Sequence, residues 1–206
     1  MEGVEVFRRA HDNRGQSTLK RRYAGLVVVA LLGVASSWSQ ENPLITGIRL
    51  GETTFKKWKY GHNVARRQVD CVIFVGAVVE SLLQRELTKT ERDAIFINNI
   101  GGNKNLGKLI RVNDERIRGV QTALVKMEKG EVVKAEDAKP GDFVQFWRLK
   151  KGKWIGHVAI IADVIDRKVG SCALIFGAHQ SLRKIGMANY EVHLNVPQTY
   201  IVRYKP

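Results

Sequence analysis

The sequence predicts an α+β domain in which helices come first and an antiparallel sheet of about five strands follows. Two patterns along the chain support this prediction. From residue 71 to about residue 129, apolar residues recur at the three- and four-residue spacing of amphipathic helices. After residue 140, short runs of β-branched and aromatic residues are separated by turn residues. Helices followed by such a run of strands are typical of the α+β class.

The first 37 residues have the composition of an export segment. Three basic residues at 20–22 precede an apolar stretch at 24–35, and small residues follow at 36–37. This order is that of a secretory signal, and the apolar stretch is too short to cross a hydrocarbon core of about 30 Å comfortably. We predict that residues 1–37 form an export signal or an N-terminal membrane anchor. Residues 38–206 would then form the functional domain in the periplasm, the cell envelope or the extracellular space.

The charge of the chain favours a polyanionic partner. The net charge is +14, from 34 basic and 20 acidic side chains, which suits nucleic acid, an anionic membrane surface or an anionic wall polymer. The sequence has no zinc-finger spacing and no aromatic-rich RNA-binding signature, so nucleic acid is not expected. Contact with a membrane is expected only through residues 1–37.

A cysteine opens the first helix after a polar and basic lead-in over residues 38–68. Asp70 is a good N-cap, and apolar residues at helical spacing continue from Cys71 as far as Leu83. Unpaired N–H groups and the macrodipole at a helix N-terminus favour a thiolate. Cys71 is therefore a candidate nucleophile, for which a base and a group that orients the base are also needed.

Further helices are predicted before the sheet. Thr90 and Asp93 resemble a capping box, and Asn113 is a candidate cap for a helix over residues 114–129. Residues 102–109 match the glycine and lysine spacing of a phosphate-binding loop. They lack its Ser or Thr and follow a helix, so we interpret them as a loop that ends that helix.

Two histidines of the predicted sheet are candidates for the base and its partner. His157 begins an apolar strand and His179 ends the next one, and such positions are neighbours in an antiparallel pair. A helix packed on the sheet would bring Cys71 toward them. A zinc site formed by these three residues and a disulfide between Cys71 and Cys172 are alternatives, although we expect no metal. Cys172 itself is expected to be an inert buried side chain.

The remaining histidines are expected to be hydrogen-bonded core or rim residues; they are His11, His62 and His193.

Residues 57–206 resemble the NlpC-type papain-like cysteine peptidases and the related cysteine- and histidine-dependent amidohydrolases of bacterial peptidoglycan. The resemblance is carried by "VDC" opening a helix, by "KPGDFVQFW" leading into "GHVAII", and by a polar residue that ends the next strand. It implies a papain-like fold with the nucleophile at a helix N-terminus. It also implies hydrolysis of an amide bond without a cofactor.

The same resemblance assigns roles to individual positions. Cys71 matches the nucleophile, His157 the base and His179 the residue that orients the base. Tyr60 matches a tyrosine of the substrate cleft, and Asp70 an acidic residue that often recognises a free amino group.

The chain also departs from that pattern. Val72 and Ile73 replace the usual Ser-Gly after the cysteine, which puts amine recognition in doubt. Gln180 is an alternative third catalytic or substrate-binding residue.

These observations predict an exported cysteine hydrolase that cleaves an amide bond, in peptidoglycan stem peptides, through a thioester. Anionic wall polymers would be further partners. The alternatives are a papain-like binding module without activity, or a basic protein that binds nucleic acid or a membrane surface. Loss of thiol-dependent activity, or salt-sensitive DNA binding, would separate these alternatives.

Overall fold

The structure is a computed structural model, and it describes residues 42–98, 100, 103–167 and 170–206. The predicted export segment lies outside the described residues. Within them, no helix is both long and apolar enough to cross a membrane.

The described part of the chain folds as helices packed on an antiparallel sheet. The helices are α1 (Pro43–Glu52), α2 (Cys71–Leu83), α3 (Lys89–Phe96), α4 (Asn103–Arg111) and α5 (Val120–Lys126). The strands are β1 (Lys59–Tyr60), β2 (Gln68–Val69), β3 (Gly130–Val133), β4 (Phe143–Lys150), β5 (Lys153–Arg167), β6 (Gly170–His179), β7 (Lys184–His193) and β8 (Thr199–Tyr204). Strands β1 and β2 form a parallel pair, and the other six form an antiparallel sheet in the order β3-β8-β4-β5-β6-β7.

This architecture confirms the predicted α+β class and is consistent with a papain-like fold. The sheet has one strand more than expected, because β3 pairs with β8 at its edge. The five predicted strands are all present, and β4 follows the turn at Gly141.

The helix boundaries differ from the sequence prediction at three places. The capping box of α3 is formed by Thr88 and Glu91, two residues before the predicted pair. Asp114, rather than Asn113, caps the next turn, which is a 3-10 helix over Glu115–Ile117. Residues 103–109, which belong to the loop expected over residues 102–109, lie instead in helix α4.

Helix α1 lies within the lead-in over residues 38–68 and was not predicted, because Gly47 and Gly51 are residue types common in turns. Asn42 caps the helix through a hydrogen bond of 2.8 Å from the Leu44 N–H to its Oδ1, and proline stands at the first helical position. A Cβ on Gly47 would lie 2.9 Å from Cδ1 of Ile160 in β5. The glycine therefore lets α1 lie close to the sheet.

Apolar side chains cover both faces of the sheet. On one face, Phe74 and Val78 of α2 pack with Val158 and Ile160 of β5 in the helix-side core. The alternate residues of the strands form a second core on the opposite face, including Phe146, Ala159, Ile161, Ala173 and Ile175. Helix α2 is thus fixed against β5, the strand that carries His157.

Candidate active site

Local backbone structure places Cys71 at the first position of α2. The Oδ1 atom of Asp70 accepts a hydrogen bond of 3.0 Å from the Ile73 N–H, which confirms the predicted N-cap. The β1–β2 pair sets Tyr60 beside Val69, directly before this cap. The nucleophile candidate and the tyrosine candidate are therefore positioned by the same short segment.

The Cys71 thiol is partly exposed, yet its surroundings favour the neutral form. Burial raises its pKa to about 11; the negative charge of Asp70 adds to the rise. The backbone N–H groups of Val158, Val72 and Cys71 itself act in the opposite direction. The N–H groups thus favour the thiolate as expected from the helix N-terminus, but burial outweighs them and the resting group is a thiol.

The two sheet histidines are in direct contact, as their chain positions predicted. Nε2 of His157 lies 3.1 Å from Nδ1 of His179. His157 pairs with Phe146 of β4, while the pairing of β5 with β6 begins three residues farther along, at Ile160 and Phe176. The hydrogen bond therefore joins the last residue of β6 to the fifth residue of β5.

Both imidazoles are neutral at pH 7. Burial lowers the pKa of His157 to about 3, and the nearby His179 and Arg148 add to the fall. Burial also lowers the pKa of His179 to about 4, against the opposing effect of the Gly186 carbonyl. The resting site therefore holds neutral imidazoles rather than imidazolium ions.

The hydrogen bond constrains which nitrogen of His157 can accept a proton. With Nε2 directed at His179, Nδ1 is the nitrogen left for a substrate or a thiol. His157 accepts at Nδ1 when its own proton lies on Nε2, and it then donates to Nδ1 of His179. The proton of His179 is then on Nε2, which is buried without a hydrogen bond of good geometry.

Cys71 and His157 are neighbours through the backbone of β5. The Val158 N–H acts directly on the thiol. Val158 packs in the helix-side core beside Cys71, and it directly follows His157 in β5. Among the described residues, the Cys71 thiol makes no hydrogen bond with an imidazole.

Tyr60 lies close to the thiol, as the resemblance implied. Burial raises the pKa of Tyr60 to about 12, and the nearby Cys71, Asp70 and Tyr190 contribute further. The phenol is consequently a stable proton donor at neutral pH. A donor beside a nucleophile can bind an oxygen that becomes negatively charged.

The carboxylate of Asp70 is already engaged on both of its oxygens. Oδ1 caps α2, and Oδ2 lies 2.5 Å from Nδ1 of His62. His62 is exposed and its ring also contacts Phe96. The sequence predicted a hydrogen bond for His62, but gave no signal that its partner would be the residue before the nucleophile.

Gln180 directly follows His179 in the chain but lies at the surface. It is exposed and belongs to the turn after β6, where its carbonyl accepts from the Arg183 N–H at 3.2 Å. The residue in hydrogen-bond contact with His157 is His179. Of the two sequence candidates for orienting the base, the geometry favours His179.

Cys172 is buried in β6, as predicted, and neither Cys71 nor Cys172 forms a disulfide. Its Sγ lies 3.2 Å from Nδ1 of His193 on β7. The disulfide with Cys71, which the sequence left open as an alternative, is therefore not formed. Within the part of the chain that is described, no group of three His, Cys, Asp or Glu side chains is placed to hold a metal ion.

Two residues that the sequence did not single out complete the site. Tyr190 of β7 contacts the ring of His179, with centroids 6.2 Å apart. Burial raises the pKa of Tyr190, Arg148 lowers it and Cys71 raises it, so its hydroxyl shares an environment with both. The guanidinium of Arg148 lies 4.9 Å from the Phe146 ring and 4.9 Å from the Tyr190 ring.

Comparisons with known proteins give one solved structure that is similar to this chain. It is the crystal structure of an N-acetylmuramoyl-L-alanine amidase from Bacteroides uniformis, with 12% sequence identity and a TM-score of 0.40. The similarity covers 81% of this chain and 98% of that amidase. No protein-family model matches the chain, and no curated protein matches it. The assignment of the site depends on the geometry described above.

Proposed function

We propose that this protein is a cysteine hydrolase that cleaves an amide bond in peptidoglycan stem peptides. The proposal depends chiefly on one observation, the His157–His179 hydrogen bond of 3.1 Å beside a cysteine at a helix N-terminus. A nucleophile, a base and an orienting group are the parts that covalent acyl transfer requires. The resemblance to NlpC-type peptidases supports the choice of substrate.

In the proposed mechanism, the proton leaves the thiol as the sulfur attacks. A thiol with a pKa of about 11 and an imidazole with a pKa of about 3 do not form an ion pair in the resting site. Nδ1 of His157 accepts the proton while Sγ of Cys71 bonds to the carbonyl carbon. Substrate binding must bring the two groups within reach, as is common for catalytic hydrogen bonds that are long in a free enzyme.

The remaining steps return the site to its starting state. His157 donates the proton to the leaving amine, and the C–N bond breaks to give a thioester on Cys71. His157 then takes a proton from water, whose oxygen attacks the thioester. The C–S bond breaks to release the acid, and His157 returns the proton to Sγ of Cys71. The backbone N–H of Cys71 and the protonated Tyr60 hydroxyl are the proposed donors to the oxyanion.

The proposed location is outside the cytoplasm, with residues 1–37 as the export signal or anchor. The net charge of +14 would hold the protein on an anionic wall. N-terminal sequencing of protein from the cell envelope or the medium tests this part. A mature terminus near Trp38 is expected for a cleaved signal, and an intact terminus recovered from cytosol would contradict export.

Digestion of purified peptidoglycan by the full chain tests the proposed activity. We expect new amino groups and soluble fragments from the wild-type protein, and a background level from Cys71→Ala. Cys172→Ala is the matched control, because it removes the other cysteine at a site away from the histidine pair. Equal release by the wild type and Cys71→Ala would contradict the proposal.

The neutral resting site also favours a second candidate, a papain-like binding module without activity. Its thiol and imidazoles all lack charge at pH 7, and the thiol has no hydrogen bond with His157. This candidate predicts that the wild-type protein sediments with peptidoglycan but releases no fragment. Release that is lost in Cys71→Ala would reject it.

A further inference from the structure

Arg148 is a charged side chain held in a fixed position at the candidate site. Its guanidinium lies between the rings of Phe146 and Tyr190, at 4.9 Å from each centroid. Its Nη2 also donates to the Glu191 carbonyl at 3.2 Å. Contacts on three sides order a long side chain before any ligand arrives, which reduces the entropy lost on binding.

The charge of Arg148 has no carboxylate partner within the described residues. Other arginines form ion pairs, such as Arg92 with Glu80 and Arg203 with Asp142. Among the described residues, the guanidinium of Arg148 makes one hydrogen bond, to a backbone carbonyl, so other N–H groups of its planar fork remain available. The residue is exposed at the surface, so a ligand can reach it.

Tyr190 connects Arg148 to the nucleophile. The Tyr190 ring lies 4.9 Å from the Arg148 guanidinium and 6.2 Å from the ring of His179, which bonds to His157. In keeping with this geometry, the charges of Arg148 and Cys71 both act on the pKa of Tyr190. A ligand held by the guanidinium therefore lies in the same small region as the thiol. The nearby carboxylate of Asp70 is occupied by His62 and by the helix cap, so the available charge for substrate recognition here is positive.

We propose that Arg148 is a specificity-determining residue that binds a carboxylate on the substrate, next to the amide that Cys71 attacks. A guanidinium binds a carboxylate through two parallel N–H···O bonds, which gives both affinity and orientation. This inference rests on the proposed hydrolase function. It adds that the substrate carries a free carboxylate close to the scissile bond, and that amidation of this carboxylate impairs recognition.

The test is a binding titration that does not need turnover. The full chain with Cys71→Ala is titrated by calorimetry with a soluble peptidoglycan stem peptide that has free carboxylates, and with the same peptide after its carboxylates are converted to primary amides. The variants Arg148→Gln and Arg148→Lys are made in this background. Lys150→Gln is the matched control, because it removes one positive charge two residues along β4 and leaves the aromatic contacts intact.

We expect Arg148→Gln to weaken binding of the carboxylate peptide by about tenfold or more, since a charge-assisted hydrogen bond is lost. Arg148→Lys should restore part of the affinity, and Lys150→Gln should change it by less than about twofold. The amidated peptide should bind weakly to the parent and to Arg148→Gln alike. Three results would each overturn the inference. They are equal effects of Arg148→Gln and Lys150→Gln, equal binding of the two peptides by the parent, and no binding of the carboxylate peptide.

Turnover by the wild-type protein separates this inference from the proposed function. Arg148-dependent binding together with no release of fragments by the wild type would reject the hydrolase and retain carboxylate recognition. The opposite result is hydrolysis by Arg148→Gln with an unchanged KM and an unchanged preference for the free over the amidated peptide. That result would reject the inference and retain the hydrolase.

Discussion

The role of His179 gives a prediction whose size follows from the structure. His179→Phe keeps a ring in a site that is only 1% exposed, but removes the nitrogen that lies 3.1 Å from Nε2 of His157. His157 becomes positively charged when it accepts the proton of Cys71. A hydrogen bond from a charged donor contributes about 1.5–3 kcal/mol, and about 1.4 kcal/mol corresponds to a tenfold change in rate. We therefore expect kcat to fall by about 10- to 100-fold.

The assay is the initial rate of amine release from solubilised peptidoglycan at a series of substrate concentrations. KM should stay within about twofold, because His179 is buried and does not reach the substrate. His179→Asn is the control variant, since its side-chain carbonyl can still accept from Nε2 of His157, and it should retain more of kcat than His179→Phe. The ¹⁵N chemical shifts of His157 should show a proton on Nε2 in the wild type and a mixture of tautomers in His179→Phe. A folded His179→Phe protein with wild-type kcat, or equal loss in the two variants, would refute the reasoning.

Three other predictions concern the charges of the folded protein. Folding lowers the pKa values of His157 and His179 from 6.5 to about 3 and about 4, so the unfolded chain binds protons below pH 6.5 that the folded chain does not. The free energy of unfolding in urea should therefore fall from about pH 6.5 to about pH 4, and it should fall less steeply in His179→Phe. An equal slope in the two proteins would count against neutral imidazoles. Iodoacetamide should label the partly exposed Cys71 before the buried Cys172, with a rate that rises beyond pH 9 toward about 11; an inflection below pH 8 would instead indicate a thiolate in the resting site. Arg203→Met should lower the free energy of unfolding by about 3 kcal/mol, because it leaves the buried carboxylate of Asp142 without its 2.8 Å partner. Arg92→Met removes the exposed ion pair with Glu80 and should lower it by about 1 kcal/mol or less. Equal losses in the two variants would contradict this account.

The parts of the site that the sequence predicted depend on local signals. Asp70 before an apolar helical run fixes the cap of α2 and therefore the position of Cys71 at its first turn. The contact of His157 with His179 follows from strand order, since the start of one antiparallel strand neighbours the end of the next. The α+β class follows from the order of helices and strands in the same way.

The parts that were missed depend on contacts between distant segments. The aromatic contacts of Arg148 require the register of β4 against β5 and of β6 against β7, which no local pattern reveals. The glycines of α1 are common turn residues, so they indicated turns rather than a helix. Their role in the close approach of α1 to the sheet is visible only in three dimensions. The pKa of Cys71 was expected to fall because the cysteine stands at a helix N-terminus, which the sequence reveals locally. The burial that raises this pKa comes from tertiary packing, which the sequence does not reveal.

Detection of the acyl-enzyme tests the central claim most directly. The full chain is mixed with a soluble peptidoglycan stem peptide, quenched in acid within seconds, digested and analysed by mass spectrometry. The account predicts an acyl adduct on the peptide that contains Cys71, its absence in Cys71→Ala, and one ¹⁸O atom in the released acid when the reaction runs in H₂¹⁸O. Release of the same fragments by Cys71→Ala, or hydrolysis by the wild type with an adduct on Cys172 instead, would contradict it.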